Sequence, residues 1–468
     1  MTTVAAAPRN GDLGFWMAGL ENKRHAYPHF AGDQAVDLAI VGGGYTGLWA
    51  AYFAKKLEPS LTVAVFEAEQ IGYGASGRNG GWLSAMPAGN RARFARASNG
   101  GVEASRALQR EFVAGVDAVL EILRSEGIDA DQHKSGALVA AHTEAGLGRL
   151  VARRDADWKY GLTEDDVYLI GPEDFRKHIN ISTVHGGLVY KHCARLNPAK
   201  LVYGLADTLT SMGVSIYEGS RVSSINGNTL TLDSGRVTAT KTFICTEGYS
   251  GALLGNRSLI PINSSMIVTK PLSDQAWQQI GWNGPQCLSD SAHTFIYSQR
   301  TADGRIAIGG RGKPYRYGSG TGGAGSTPQS TVDLLSTKLR SFFPEIDFDV
   351  DHAWSGVLGV TRDWNGGVQW DQTAGIGSST GYAGHGVTAA FLGGRTLVEL
   401  AFEQKTERTS LPWVGYRARK WEPEPIRWLG VHSMYSLFGL ADTWEEHRDS
   451  TKTSLLAKFG SRLAGLHE

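Results

Sequence analysis

Two short apolar runs flank one helical stretch near the start of the chain. Asp37–Val41 (DLAIV) stops at Gly42-Gly43-Gly44-Tyr45-Thr46-Gly47, Leu48–Leu57 follows with an apolar helical pattern, and Leu61–Phe66 (LTVAVF) ends at Glu67. This order predicts strand, glycine turn, helix and strand, one βαβ unit. Ile71–Trp82 (IGYGASGRNGGW) is too dense in turn residues for regular structure and reads as a loop. Further on, Leu108, Phe112, Val116, Val119 and Leu123 recur every three or four residues, the stripe of a long amphipathic helix. Residues 136–142 read as a strand, and 197–212 as a helix closed by Gly213. Residues 214–246 are β-rich, with a hairpin signal at Asn226-Gly227-Asn228. Strands are expected again over 256–311, and Val332, Leu335, Leu339 and Phe342 mark a helix stopped before Pro344. A glycine loop opens a helix over 381–402, and a Trp- and Pro-rich appendage begins at Leu411-Pro412. In that tail the stripe Ile426, Leu429, Leu437 and Phe438 is expected to dock on the body of the protein.

Composition narrows the function. With 46 Lys+Arg against 46 Asp+Glu the chain is formally neutral, so it lacks the basic field that nucleic acids or anionic membranes require. Gly is 60 of 468 residues, well above the usual ~7%, which points to tight turns and close backbone approach to a ligand. Three cysteines without a C-x-x-C suggest neither a disulfide framework nor a Cys metal site. With no basic leader before an apolar run at the N-terminus, and no run of 18 apolar residues, a cytoplasmic protein without a spanning segment is expected.

The chemistry sits first in Gly42-x-Gly44-x-x-Gly47. In a dinucleotide site the first glycine allows the turn, the second lets the backbone approach a pyrophosphate, and the third lets helix and strand pack closely. Glu67, ending the second strand, is placed to accept bonds from ribose hydroxyls. Gly318-x-Gly320-x-x-Gly323 and Gly320-x-Gly322-x-x-Gly325 match the same pattern but follow no apolar strand, so they read as loop. One dinucleotide site is expected, and no second site for NAD(P).

Gly74-Ala75-Ser76-Gly77-Arg78-Asn79-Gly80-Gly81, following Glu67, resembles the FAD loop of the D-amino-acid-oxidase superfamily. The wording of that loop, Phe15-Trp16, Pro28-His29-Phe30 and the tail Leu411–Gly430 are most similar to its gamma-glutamylputrescine oxidase branch. The resemblance implies an α/β (α+β) architecture, in which a Rossmann-like FAD-binding domain is interleaved with a β-sheet-plus-helices substrate domain. The expected FAD-binding segments are 1–90, 186–255 and 353–410, the substrate segments 91–185 and 256–352, with 411–468 a helical appendage. FAD would be held non-covalently, since the flavin-linking Cys of sarcosine oxidases falls near Gly356 here. Its contacts would come from Gly42, Gly44, Tyr45, Thr46, Gly47, Glu67, Ala68, Gly74, Ser76, Arg78, Asn79, Gly80, Trp82 and Leu83. Val222, Thr246, Gly248, Gly384, Gly386, Val387 and Thr388 would complete them, and no metal is implied.

The same resemblance implies oxidation of an amine by hydride transfer to flavin N5, giving an imine and then an aldehyde or keto product, with O2 reduced to H2O2. Positions that hold a free amino acid's carboxylate in relatives fall on Leu358 and Thr388, so a primary or secondary amine is expected instead, a gamma-glutamyl amine included. His385, Trp354, Arg362 and Tyr382 are the expected substrate-side residues, with Arg362 near enough for a remote carboxylate and Trp82 and Trp364 as further pocket walls. The Lys that assists oxygen in sarcosine oxidases falls on Ala307, with Arg311 or Lys313 as possible substitutes. That leaves open an amino-acid oxidase or dehydrogenase using another acceptor. A flavin monooxygenase and a flavin-bound interaction protein are the other readings, and the oligomeric state is not indicated.

Overall fold

The computed structural model describes residues 8–21, 24–254, 257–310, 314–321, 323–447, 450–454, 457 and 460. The βαβ unit forms as its pattern predicts: strand Gln34–Val41, helix Tyr45–Leu57, strand Val63–Phe66. These strands pair in parallel, as do Ser215–Tyr217 beside Val63–Phe66, Gly235–Ile244 beside Gln34–Val41, and Ile376–Thr380 beside the end of Gly235–Ile244. A meander, Val222–Asn226, Thr229–Leu232 and Gly235–Ile244, turns at the expected Asn-Gly and extends the sheet to eight strands with Gly367–Asp371 at the edge. Parallel strands buried on both faces must be apolar throughout. Leu38, Ile40, Val65 and Phe243 accordingly meet Leu48, Trp49, Phe391 and Leu397 from two helices, Tyr45–Leu57 and Gly386–Ala401. The long helix Gly101–Ser125 adds Leu108, Phe112, Val116 and Val119 to the same core.

A second sheet of nine strands runs Arg9–Asn10, Val350–Val360, Ile260–Thr269, Ile306–Gly310, Tyr297–Arg300, Cys287–Asp290, Ala137–Ala141, Gly186–Tyr190, Val167–Ile170. All strands expected between 256 and 311 lie in it. The chain thus alternates between the two sheets. Sheet pairing shifts three boundaries drawn from the sequence. Gly186–Tyr190 pairs with Ala137–Ala141, Val350–Val360 pairs with Ile260–Thr269, and Arg9–Asn10 pairs with His352–Ala353, so these pieces belong to the nine-stranded sheet. A small sheet of Trp82–Ser84, Cys193–Arg195 and His133–Lys134 lies between the two along the chain.

In the appendage, Trp413 is fully buried against Phe112, and Trp421 donates its indole N–H to the Val360 carbonyl at 2.9 Å. Helix Ile426–His447 follows. The expected docking stripe divides: Phe438 is buried, whereas Ile426 and Leu429 are 60% and 53% exposed. No described helix is long and apolar enough to cross a membrane.

Candidate active site

Each glycine of the first motif meets a specific obstacle. Gly42 has φ +110°, and a Cβ there would sit 2.6 Å from the Cys245 carbonyl oxygen of the neighbouring strand end. At Gly47 a Cβ would lie 2.2 Å from the Gly42 carbonyl oxygen, so this glycine acts through packing. Gly44 caps helix Tyr45–Leu57 without a side-chain bond of its own. A Cβ at Gly44 would be 2.9 Å from Ser76 Oγ, and that hydroxyl accepts the Tyr45 N–H at 2.9 Å. The loop therefore closes over the helix N-terminus, where free amides and the helix dipole favour an anion. Glu67 accepts the Gly43 and Glu69 amides at 2.7 and 3.0 Å. Burial lifts its carboxyl above the ordinary range despite those two bonds. Arg221 pairs with Glu69 at 2.6 Å beside Val222.

Arg78 is 3% exposed and its guanidinium lies 4.6 Å over the Tyr73 ring. Nη1 donates to the Ser355 carbonyl at 3.2 Å, but Nε and Nη2 are buried without a hydrogen-bond partner. The indole nitrogen of Trp82, four residues on, is likewise buried and unsatisfied. Unmade bonds of this kind cost about 1–3 kcal/mol each, more for a charged group, so the wall they line is built for an electron-rich guest.

At the other side of the site, Glu247 (φ +41°) accepts the Gly381 and Tyr382 amides at 2.9 and 3.1 Å. It fixes the turn through Ala383 (φ +51°) and Gly384 (φ +109°) that delivers His385 and the N-terminus of helix Gly386–Ala401. Burial raises the Glu247 carboxyl to about 7, outweighing the Gly381, Tyr382 and Gly359 amides. Between about pH 4.5 and 7 the folded chain then holds a proton that the unfolded chain has released, so this group's contribution to stability falls as pH rises through that window. In the apoprotein, wild type should lose on the order of 2 kcal/mol relative to Glu247→Gln between pH 4.5 and 7.5, after discounting for partial exposure. Urea unfolding at the two pH values checks it, and parallel losses would assign the dependence elsewhere. Sequence reading placed Thr246-Glu247-Gly248 at this strand end but gave the carboxylate no task.

These pieces line one cavity of about 1100 Å³. Gly42, Gly44, Tyr45, Thr46, Glu67, Ala68, Gly74, Ser76, Arg78, Asn79, Gly80, Trp82, Val222, Thr246, Gly248, Tyr382, Gly384, His385, Gly386 and Val387 all reach it. Several expectations are corrected. Trp354 is fully buried beneath Phe15 and Trp16, donates to the Arg78 carbonyl at 2.9 Å and does not reach the cavity. Arg362 turns to the tail instead, with Nε 3.0 Å from Glu422 and its guanidinium over Trp421. The Tyr382 hydroxyl is committed to Thr46 and Ser379, which makes it a brace between two elements. Leu83 is core, and Thr388 gives its hydroxyl proton to the Ser84 carbonyl at 2.7 Å. Ala307 is fully buried in a cluster with Trp16 and Trp354, and Arg311 and Lys313 lie outside the described residues. Among the described residues, 314–316 ahead of Gly318, Gly320, Gly323 and Gly325 form no strand, and Gly322 is outside the described residues; the Gly323 carbonyl accepts from Arg78 Nη1 at 3.4 Å.

Sequence reading missed one whole wall. Helix Glu144–Lys159 brings Arg149, Leu150, Arg153 and Asp157 to the cavity, and the C-terminal helix brings Met434, Tyr435 and Phe438. Among the described residues no cluster of three or more His, Cys, Asp or Glu could hold a metal.

A strand–glycine–helix cradle, an acid at the second strand end and a buried cation over the same cavity define a flavoprotein oxidoreductase. Residues 37–400 match the DAO family, FAD dependent oxidoreductase, and the chain belongs to it. It is 30% identical over 375 residues to the gamma-glutamylputrescine oxidoreductase of Escherichia coli (strain K12), covering 78% of this chain and 83% of that protein. It is 27% identical over 417 residues to the probable oxidoreductase OrdL of Rhizobium meliloti (strain 1021), covering 84% and 89%. The fold is shared with glycine oxidase from Geobacillus kaustophilus, with a TM-score of 0.65 at 19% identity over 80% of this chain and 96% of that one. L-amino acid deaminase from Proteus myxofaciens superposes with a TM-score of 0.68 at 14% identity, over 83% and 95%. The site fits FAD: the Gly44–Ser76 cradle and the unsatisfied Arg78 and Trp82 donors meet what a pyrophosphate and a flavin present.

Proposed function

We propose that the chain oxidises the carbon–nitrogen bond of a primary or secondary amine, with FAD held non-covalently. The observation that carries this reading is the absence of a cation at the two positions expected to anchor an α-carboxylate. Leu358 lines the cavity as an apolar side chain, and Thr388 is bonded to Ser84. A buried carboxylate without a partner there is costly, so a free α-amino acid fits poorly. Arg153 lines a separate wall, its guanidinium 5.2 Å over the Tyr190 ring, and can meet a carboxylate remote from the amine, as a gamma-glutamyl amine carries. The likeness to a gamma-glutamylputrescine oxidoreductase supports that choice.

Gly42, Gly44 and Ser76 would hold the pyrophosphate, Glu67 the ribose, and the Gly384–Val387 turn with its helix N-terminus the anionic edge of the reduced ring. When bound, FAD supplies the two-electron acceptor, taking a hydride from the carbon that bears the amine. The chain's own share is orientation and exclusion of water: Trp82, Trp364 and Tyr297 wall the cavity, and a neutral amine loses its hydride without a side-chain base. His385 stands at the helix start as a neighbour of the reacting region.

Anaerobic titration with a panel of amines tests the reading. An amine should bleach the flavin, acid precipitation should leave the flavin in the supernatant, and NAD(P)H should leave the colour unchanged. Bleaching by NAD(P)H instead would favour a monooxygenase. Reoxidation is a separate expectation. No lysine lines the cavity among the described residues, and Ala307 is covered. Losing one cation beside developing superoxide should slow reaction with O2 by about 10²-fold relative to a sarcosine oxidase, although O2 giving H2O2 remains the proposed acceptor. Stopped-flow measurements with air, run side by side, decide it; equal rates would show that another group supplies the charge.

A further inference from the structure

We propose that helix Ile426–His447, which lies wholly beyond the family match of residues 37–400, is the wall that sets which carbon chain the substrate chamber accepts, with Tyr435 and Phe438 as its specificity-determining residues. This rests on the amine reading above and deepens it.

The helix has a clear inner face. Val431, Tyr435, Phe438, Ala441 and Glu445 recur at three- and four-residue intervals and turn inward, while Ile426, Leu429, Leu440 and Trp444 are exposed on the outside. Both ends are pinned to segments that connect strands of the nine-stranded sheet, and the far end also to helix Glu144–Lys159. At the start, Arg427 and Glu424 engage Tyr315, and His432 Nε2 lies 2.8 Å from the Tyr315 carbonyl oxygen. At the end, Asp442 accepts the His293 and Thr294 amides at 2.8 and 2.9 Å, and Glu445 accepts from Arg149 at 2.6 Å and sits 3.2 Å from His293. Burial alone would raise the Glu445 carboxyl, but the bonds from His293, the Ser454 amide and Arg149 outweigh it and hold the group at about 2. The helix end is therefore an ion-paired clamp at any ordinary pH.

Between the pins, the middle turns face the chamber through Met434, Tyr435 and Phe438. Tyr435 packs with Leu358, Trp364 and Ala383, next to the turn that delivers His385. Phe438 lies one turn further along, stacked on His293 with ring centroids 5.8 Å apart and planes 11° apart. Of the described residues of this helix only Met434, Tyr435 and Phe438 line the cavity, so the face it offers a guest is aromatic and thioether. Such a face reads the length and bulk of a hydrocarbon chain, not its charge. An amine bearing an apolar spacer of several carbons is the class it fits.

The test uses the FAD-loaded full chain and straight-chain primary amines from ethylamine to octylamine. Phe438→Ala and Tyr435→Ala should each raise kcat/KM for octylamine over butylamine by about tenfold or more, the scale set by one or two methylenes in an apolar pocket. Leu440→Ala, on the outer face, should leave the ratio unchanged. Flavin content per chain and thermal midpoint identify any variant that has merely lost its fold. Wild-type reduction by amines with unchanged ratios in both variants overturns the proposal while leaving the amine reading intact. If no amine reduces the wild type, the amine reading fails, and straight-chain carboxylates from acetate to octanoate, read by their perturbation of the oxidised flavin spectrum, still measure the chamber. There, Phe438→Ala must move the tightest-binding length upward, and an unmoved optimum overturns the wall.

Discussion

Gly47→Ala should yield a chain that retains no FAD and is destabilised by about 3 kcal/mol. The added Cβ would stand 2.2 Å from the Gly42 carbonyl oxygen and 2.9 Å from Ile40 Cγ2, both in the fully packed seam between helix Tyr45–Leu57 and the first strand. Neither neighbour is the free end of a flexible chain. The helix must lift away from the sheet, and overpacking of this kind typically costs 1–3 kcal/mol, here at about the upper end because backbone is involved. Lifting the helix also displaces its N-terminus from the Ser76 hydroxyl, 2.9 Å from the Tyr45 amide, so the cradle opens with the seam. Gly44→Ala is the comparison. Its Cβ meets the Ser76 Oγ at 2.9 Å, a side chain that can rotate, so the fold should survive within about 1 kcal/mol while FAD binds more weakly. Urea midpoints and flavin content per chain separate the two. If Gly47→Ala retains full flavin and wild-type stability, the seam is softer than its distances imply.

That difference between Gly44 and Gly47 was legible in the sequence, because the motif's spacing encodes strand, turn and helix within a few residues. The same holds for Glu67 and for the Asn-Gly hairpin, whose causes are local. What the sequence hid are contacts made across long separations. Trp354, Gly356 and Leu358 share one face of strand Val350–Val360, and the last two line the cavity. Trp354 does not, because Gly14, Phe15 and Trp16 from the N-terminal segment cover it; a Cβ on Gly14 would come within 2.7 Å of the indole. No period in the strand announces that cover. Arg362 sits two residues past the strand, where its charge suggests a place beside substrate, but Glu422, 60 positions on, bonds it instead. Helix Glu144–Lys159 carries little signal in the sequence for a different reason: its buried positions are few, Ala145, Gly146, Leu150 and Asp157, and two glycines interrupt the apolar stripe. Its cap is plain once seen, Thr143 Oγ1 accepting the Gly146 amide at 3.0 Å.

Arg78→Met should weaken FAD binding by about 100-fold yet leave the apoprotein as stable as wild type or more so. Nη1 donates to the Ser355 and Gly323 carbonyls at 3.2 and 3.4 Å, whereas Nε and Nη2 are buried with no partner. A buried charge in that state carries a desolvation penalty that two long bonds from one nitrogen and the Tyr73 ring at 4.6 Å do not offset. Methionine keeps much of the volume and removes the penalty, so urea unfolding of the flavin-free variant should shift upward or not at all. With FAD present the sign reverses. Charge-assisted bonds to a guest contribute roughly 1.5–3 kcal/mol, and about 1.4 kcal/mol is a factor of ten in affinity. Arg78→Lys should recover only part of the loss, because a single ammonium cannot reproduce the two unsatisfied directions of the guanidinium. A variant that is destabilised without flavin and binds FAD normally would make Arg78 a structural tie to Ser355 and remove it from the cofactor site.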